Sequence, residues 1–368
     1  VARDDVDVVV ELIGGLHPAH ELVETALRNG KPVVTGNKAL LAVAGAELAE
    51  VAAAAGVDLL YEAAVAGAIP VIRPLRESLA GEQIVRVMGI VNGTTNYILT
   101  RMEEKGDSYD DALREAQALG LAERDPSADV EGHDAAAKAA ILAVLAFGSD
   151  VVDADVYREG ISGVSAADIA YATHLGYSVK LLAIAELVDG GPEISVRVHP
   201  AMVPRTHPLA AVRGSFNAVF VEGAVSGELM LYGRGAGGGP TASAMLGDLV
   251  DAARNLLAGA PAPAPKRTTT SMRAQDDLRS AFYLSLDVAD RPGVLAAVAK
   301  IFGDHNVSIR AMEQVGLAEE ARLIFLTHVA REGDLLATID ALRQLQAVDR
   351  VSGVLRVIGD HDDNGGAP

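Results

Sequence analysis

Along residues 6–60, short apolar runs alternate with stretches whose apolar positions recur every three to four residues. Val6 to Leu12 has the continuous β-branched character of a buried strand, and "PAHELVETALRNG" has the period of a helix closed by Gly30. "PVVTG" repeats the strand signal, "NKALLAVAGAELAEVAAAAG" the helical one, and "VDLLYEAAV" reads as a third strand. Apolar strands spaced by amphipathic helices predict a parallel, Rossmann-like sheet. Domains seldom begin on an interior strand, yet Val1 lies just ahead of one. A preceding N-terminal portion is therefore expected.

From residue 84 the pattern changes. The strand "IVRVMGIV" leads through "NGTTN" into a helix, and helices are expected to continue to about residue 188. "ISVRVHP", "NAVFVEG" and "GELMLYG" then read as strands of a mixed or antiparallel sheet, which makes this part α+β. Residues 241–257 have the helical period, and "AGAPAPAPKRTTTSMRAQDD" has none, as a linker would. Beyond it the order is β-α-β-β-α-β, a small ferredoxin-like domain.

Composition narrows the class. The chain has 368 residues, 50% of them hydrophobic, enough for two or three domains with cores. Its formal net charge of −19, with no basic cluster, argues against nucleic acid or an anionic membrane as partner. Cysteine is absent, which removes disulfides and thiolate metal sites. Apolar runs are broken short of a membrane span and no secretory n-region and h-region opens the chain, so a cytoplasmic protein is expected.

Against that background one helix stands out. In "HDAAAKAAILAVLAFG", residues 133–148, Lys138 is the only polar residue from Ala135 to Phe147. Ala135, Ile141, Leu142 and Leu145 share its face, with Asp134 one turn earlier. A lysine so placed either snorkels or is a positioned proton carrier. The eight residues after Lys138 carry no charge, which favours the second reading. Upstream, "AERDPSADVEGHDAAAK" gathers Glu123, Asp125, Asp129, Glu131, His133 and Asp134. Such a run is ordinarily a solvated acidic loop, and its spacing is not that of a calcium loop. At the mouth of an apolar wall bearing one ammonium, it suits a small zwitterionic substrate. Carboxylates would hold the amino group while the lysine faces the reacting oxygen.

Three other stretches invite chemistry. "VVTGNKALLA" puts Thr35, Asn37 and Lys38 at the carboxyl end of a parallel strand, where open α/β sheets bind ligands. A plain helix cap beside a solvated lysine is the equal alternative. In "GRGAGGGPTASAMLGD", Gly233, Gly235 and Gly238 satisfy G-x-G-x-x-G only formally, because no strand follows the helix. Bare N–H groups at a helix start can still approach an anion or a cofactor amide, and a flexible turn competes with that reading. The small-residue turn in "YEAAVAGAIP" exposes carbonyls that suit a hard cation.

Together "ELIGG", "VVTGNKALLA", "YEAAVAGAIPVIRPL", "MGIVNGTTNYIL", "AERDPSADVEGHDAAAKAAIL", "GISGVSAADI", "SFNAVFVEG" and "GRGAGGGPTASAMLGD" resemble the homoserine dehydrogenase family, in its actinobacterial form with a C-terminal ACT domain. The resemblance covers essentially the whole chain. It implies reversible reduction of L-aspartate 4-semialdehyde to L-homoserine by NADPH or NADH, on the route to threonine, methionine and isoleucine. It makes Lys138 the proton donor, with Asp134 orienting it and Glu123, beside Asp129, holding the substrate amino group. Gly14 and Lys38 would lie against the cofactor, and Gly235 and Gly237 would close over it. Carbonyls of Glu62, Val65, Gly67 and Ile69 would hold a monovalent cation, Na+ or K+.

The same resemblance divides the chain into a nucleotide-binding part, residues 1–61 completed by 233–257, and a catalytic and dimerisation part, residues 62–232. A linker at 258–280 and an ACT regulatory domain at 281–360 would follow. The family's first strand and its G-x-G-x-x-G turn are missing from this sequence, so NADP or NAD preference is not legible in it. That departure keeps a second expectation open: a catalytically inactive form acting as an amino-acid-binding regulatory or interaction protein. With "DRPGVL" at its first strand-to-helix turn the last domain resembles an ACT module, which implies an amino-acid ligand near Gly293 and threonine as an allosteric inhibitor; a domain that only dimerises is the alternative. The unpatterned linker suggests that this domain acts through assembly, its free edge strands pairing across a homodimer or homotetramer.

Overall fold

The computed structural model describes residues 1–263, 268, 270–317 and 320–359. Its first unit is a three-stranded parallel sheet in the order β1 (Val9–Glu11), β2 (Val33–Thr35), β3 (Leu59–Leu60), with α1 (Ala19–Arg28) and α2 (Lys38–Ala55) as crossovers. These are the expected elements, but the strands are shorter than the apolar runs. β3 stops at Leu60 because Glu62 turns inward: its N–H donates to Asp248 at 2.7 Å, and its carboxylate accepts from the N–H groups of Ile72 and Arg73 at 2.8 and 3.0 Å.

Next come β4 (Ile84–Ile90), α3 (Gly93–Lys105), α4 (Tyr109–Ala118), α5 (Ser127–Val130), α6 (His133–Phe147), β5 (Tyr157–Arg158) and α7 (Ala166–His174). They are followed by β6 (Tyr177–Leu187), β7 (Glu193–Pro204), β8 (Phe216–Gly223), β9 (Gly227–Arg234) and α8 (Gly238–Ala258). β6 corrects the expectation of helices up to residue 188. "YSVKLLAIAEL" is rich in good helix formers, but it pairs antiparallel with β7 along its length and with β4 on its other side. Burial between two strands overrides local preference. α6 is buried nearly all round, as an almost uniformly apolar helix must be. α8 returns to the first unit, where Met245 and Ala252 pack with Val34 and Leu60.

The last unit runs β10 (Ser271–Met272), β11 (Arg279–Ala289), α9 (Val294–Asp304), β12 (Ile309–Leu317), β13 (Glu320–Thr327), β14 (Ala330–Arg331), α10 (Glu332–Arg343) and β15 (Val348–Val357). Its four long strands stand in the order β12-β13-β11-β15, the ferredoxin-like arrangement. They do not form a separate sheet. β15 pairs with β7 through Arg356 and Val357, so one sheet continues from β12 to β9. One face of β7 is paired with β6; its other edge is covered in succession by β10, β5 and β15. The expectation of free edges therefore holds for β12 only. The stretch read as a linker also carries structure, since β10 lies on β7; just beyond it, the hydroxyl of Tyr283 on β11 donates to Asp168 on α7 at 3.0 Å. Residues 264–267 and 269 of that stretch, and residues 318, 319 and 360 of the last domain, lie outside the described residues. Among the described residues no helix is long and apolar enough to cross a membrane.

Candidate active site

α6 begins after Gly132, whose backbone is left-handed at φ 82° and which packs against the carbonyl of Glu159. This start fixes where the first turn of the helix points. Asp134 and Lys138, one turn apart, then lie against the turn at the end of β4. Lys138 Nζ donates to the Val91 carbonyl at 2.6 Å and to Asp134 Oδ2 at 2.7 Å. Its side chain is only 10% exposed, so the lysine does not snorkel. An ammonium has three donors, and these two bonds leave one for a ligand.

Asp134 is the hub. Its Oδ2 also accepts from Asn92 Nδ2 at 2.8 Å, and its Oδ1 pairs with Lys38 Nζ at 2.9 Å. Burial alone would raise this carboxyl, but the charges of Lys138 and Lys38, with hydrogen bonds from Lys138 and Asn92, outweigh it. They hold Asp134 far below the usual carboxylate range. Asn92 extends the chain of contacts by donating to Asp129 Oδ1 at 2.7 Å. Its own Oδ1 accepts from the Thr95 N–H at 2.9 Å and so caps α3. Asp129, Asn92, Asp134, Lys138 and Lys38 thus form one connected set at the meeting of α5, β4, α6 and α2.

Lys38 links this set to the nucleotide-binding edge. Glu11, buried at the end of β1, accepts from the N–H groups of Ile13 and Gly14 at 2.8 and 2.9 Å and from the Thr35 hydroxyl at 2.6 Å. The Thr35 hydroxyl in turn accepts from the Asn37 N–H at 3.0 Å, and Asn37 Nδ2 donates to the Gly15 carbonyl at 2.8 Å. The Asn37 side chain also caps α2 through the Leu40 N–H at 3.2 Å. The Gly14–Gly15 turn, exposed and with positive φ at both residues, is therefore pinned from beneath.

The other expected residues are placed differently from one another. Glu123 is exposed on the loop before α5, its backbone carbonyl accepting from Gln117 at 3.0 Å. Among the described residues no hydrogen bond or ion pair joins its carboxylate to Asp129, Asp134 or Lys138. Gly235 is buried, and a Cβ there would overlap Asn217, while one at Gly67 would overlap the Gly235 carbonyl. Two chain segments touch at that point, which requires glycine at both. Gly237 is exposed at the start of α8 with φ 118°.

Around the 62–69 turn, the bonds from Ala64 to Tyr61, from Ile69 to Ala66 and from Ala68 to Arg234 use none of the carbonyls of Glu62, Val65, Gly67 and Ile69. No group of three or more His, Cys, Asp or Glu side chains among the described residues is placed to hold a metal ion. A cation there would rest on main-chain oxygens. The expected set lacked Asn92, Val91 and Glu11. The first two sit in "IVNGTTN", whose strand-to-helix turn was the available signal; a buried acid ending a strand in "ELIGG" was the other.

Three family models match the chain: "Homoserine dehydrogenase, NAD binding domain" over residues 1–62, "Homoserine dehydrogenase" over 70–250 and "ACT domain" over 282–347. The homoserine dehydrogenase of Mycobacterium tuberculosis is 53% identical over 369 residues, covering 98% of this chain and 84% of that protein. That of Corynebacterium glutamicum is 53% identical over 362 residues, covering 97% and 81%. Among solved structures, a homoserine dehydrogenase from Thiobacillus denitrificans superposes with a TM-score of 0.91 at 45% identity, covering 96% of this chain and 82% of that one. A hyperthermophilic archaeal homoserine dehydrogenase in complex with NADPH superposes with a TM-score of 0.60 at 33% identity, covering 71% and 73%.

Proposed function

The chain belongs to the homoserine dehydrogenase family, and on that premise we propose that Lys138 gives a proton to the carbonyl oxygen of L-aspartate 4-semialdehyde as hydride reaches the adjacent carbon. The observation that carries this reading is the uncommitted third N–H of a lysine whose other two bonds fix its direction. Bound NADPH or NADH supplies the hydride, and in the reverse direction accepts it from L-homoserine. Asp134, kept ionised by two ammoniums, holds Lys138 in place, and Lys38 adds positive charge near the oxygen where negative charge develops. Glu123 is exposed, with no partner for its carboxylate among the described residues, which suits it to the substrate ammonium; Asp129, tied to Asp134 through Asn92, supports the same pole.

For the cofactor, the pinned Gly14–Gly15 turn and Gly237 at the start of α8 offer open backbone on either side of Lys38, with Gly235 buttressing the second segment. The unused carbonyls of Glu62, Val65, Gly67 and Ile69 suit Na+ or K+. Residues 1–61 with 233–257 bind nucleotide, 62–232 catalyse and dimerise, and 281–360 regulate. β9 ends the sheet with Leu229, Met230 and Tyr232 exposed, which supports a homodimer or homotetramer. The enzyme works in the cytoplasm. No observation favours the inactive, purely regulatory alternative.

Lys138→Ala tests the assignment. Turnover should fall about 10²–10⁴-fold, the contribution of a positioned general acid, while cofactor affinity stays nearly unchanged. Turnover close to the parent's would refute it. Regulation has its own test. Threonine is the inhibitor, bound where Gly293 caps α9 at φ 91°. Gly293→Ala should remove a coupling of about 1–3 kcal/mol and leave uninhibited turnover intact. Persistent inhibition would place the threonine site elsewhere, most simply in competition with homoserine at Glu123.

A further inference from the structure

A row of charged side chains crosses the large sheet where the ACT unit joins it. Glu222 on β8 accepts from Arg86 on β4 at 3.0 and 2.7 Å, and Arg86 stands 3.9 Å from Glu186 on β6. Glu186 accepts from Arg197 on β7 at 2.8 Å. Across the junction, Arg356 on β15 donates twice to Glu332 at 2.7 Å and once to Glu159 at 2.8 Å. Acid and base alternate from strand to strand until β7 meets β15. There an arginine follows an arginine in the row, Arg197 on β7 and Arg356 on β15, the latter opposite Ala201 four residues along β7.

A cleft opens at this break, lined by Arg86, Arg197, His199, Arg279 and Arg356, with Glu186 its one carboxylate among the described residues. Two buried atoms on β7 have no partner among the described residues: Arg197 Nε and His199 Nε2. Arg197 is 7% exposed and His199 fully buried, so bulk water does not serve them. Nδ1 of His199 lies 3.1 Å from the Pro200 carbonyl, an acceptor only, which puts the ring proton on Nδ1. Burial, then the charges of Arg356 and Arg197, hold the imidazole neutral. Nε2 is therefore a lone pair that calls for a donor, while Arg197 Nε–H calls for an acceptor. The exposed guanidinium of Arg279 is held by a single 3.5 Å contact to the Val329 carbonyl and can turn inward. A water molecule would satisfy either buried atom but would leave Arg279 without a carboxylate partner among the described residues.

We propose that this cleft binds a small oxyanion bearing one O–H group. Its anionic oxygens take Arg197 Nε–H and the Arg279 guanidinium, and its hydroxyl donates to His199 Nε2. Hydrogen phosphate and a hydroxy-carboxylate share this chemistry. Because β7 and β15 both line the cleft, occupancy fastens the ACT unit to the catalytic sheet.

Calorimetric titration of the full chain with inorganic phosphate, sulfate, lactate and acetate tests the proposal, with hydrogen exchange read on residues 354–357. One phosphate or lactate per chain should bind about tenfold more tightly than sulfate or acetate, which lack the O–H, with slower exchange in β15. The better of the two identifies the source as phosphate or carboxylate. Arg279→Gln, an exposed substitution that leaves the buried pairs intact, should weaken binding about tenfold. The proposal is overturned if no anion binds, if sulfate and acetate match their hydroxyl-bearing counterparts, or if Arg279→Gln binds like the parent.

Discussion

Two lysines are buried in the middle of this chain, one on α6 and one on β6, and they begin alike. Each is the lone cation of an apolar run, and each donates to a backbone carbonyl at 2.6 Å, Lys138 to Val91 and Lys180 to Val212. Their second partners differ. Lys138 has the Asp134 carboxylate at 2.7 Å, whereas Lys180 has, among the described residues, only the Asn96 amide oxygen at 3.4 Å. Burial pushes Lys180 down to about 8, with Glu103 offsetting only part of the effect. A lysine isolated among apolar residues is thus a mark of burial and not of catalysis. The carboxylate one turn away, itself tied to a second lysine, separates the site from the scaffold.

The sharpest way to break this comparison is to remove each ammonium. Set beside the 10²–10⁴-fold loss expected of Lys138→Ala, Lys180→Met should leave kcat within about threefold, because Lys180 is no general acid. Equal losses from the two would mean that burial, not position, explains both.

A second test uses pH and should yield about 3 kcal/mol, the free-energy equivalent of the Lys180 shift. Its folded value, about 8, lies below the ordinary lysine value of 10.5. Below about 8 the lysine is charged in both states, and the folded chain carries the full cost of burying it. Between the two values the unfolded chain binds more protons, so stability rises with pH and levels off above the upper one. Urea unfolding of the parent from pH 7 to 10 should show that rise, and Lys180→Met should lack it. Asp134 has the same sign in a different window: its depressed value also makes stability rise with pH, but only through the acid range, up to the ordinary carboxylate value. It adds nothing to the alkaline slope. Parallel curves for parent and variant would remove the contrast.

The smallest expected effect sharpens the comparison at the mouth of the site. Glu123 is exposed on the loop before α5, with no partner for its carboxylate among the described residues, while Lys180 lies sealed within the sheet. Glu123→Gln should raise the Michaelis constant for homoserine about tenfold and leave kcat nearly unchanged, as loss of uniform binding does. A fall in kcat at constant Michaelis constant would move Glu123 into the chemistry.

The legibility of these features follows the range over which their physics acts. α2 and α6 declared themselves because a helix writes its period into a single stretch of chain, and Asp134 lies one turn from Lys138 by that period alone. β6 was misread as helical because its residues carry good local helix preference, and only β4 and β7 make it a strand. Asn92 was overlooked for a related reason. Nothing in "NGTTN" indicates that its amide will reach two carboxylates 37 and 42 positions away.

By itself the sequence determined the parallel α/β opening, the ferredoxin-like order of the last unit, the acid–lysine pair of α6 and the family resemblance that gave each a role. Local periodicity, short-range spacing and residue chemistry suffice for these. Tertiary structure alone decided that Lys38 closes on Asp134, that Glu11 supports the Gly14–Gly15 turn, and that β15 extends the catalytic sheet through β7. Each depends on segments far apart in the chain meeting at hydrogen-bond distance. One residue's spacing conveys none of that, because strand order and register are settled by the burial of whole faces.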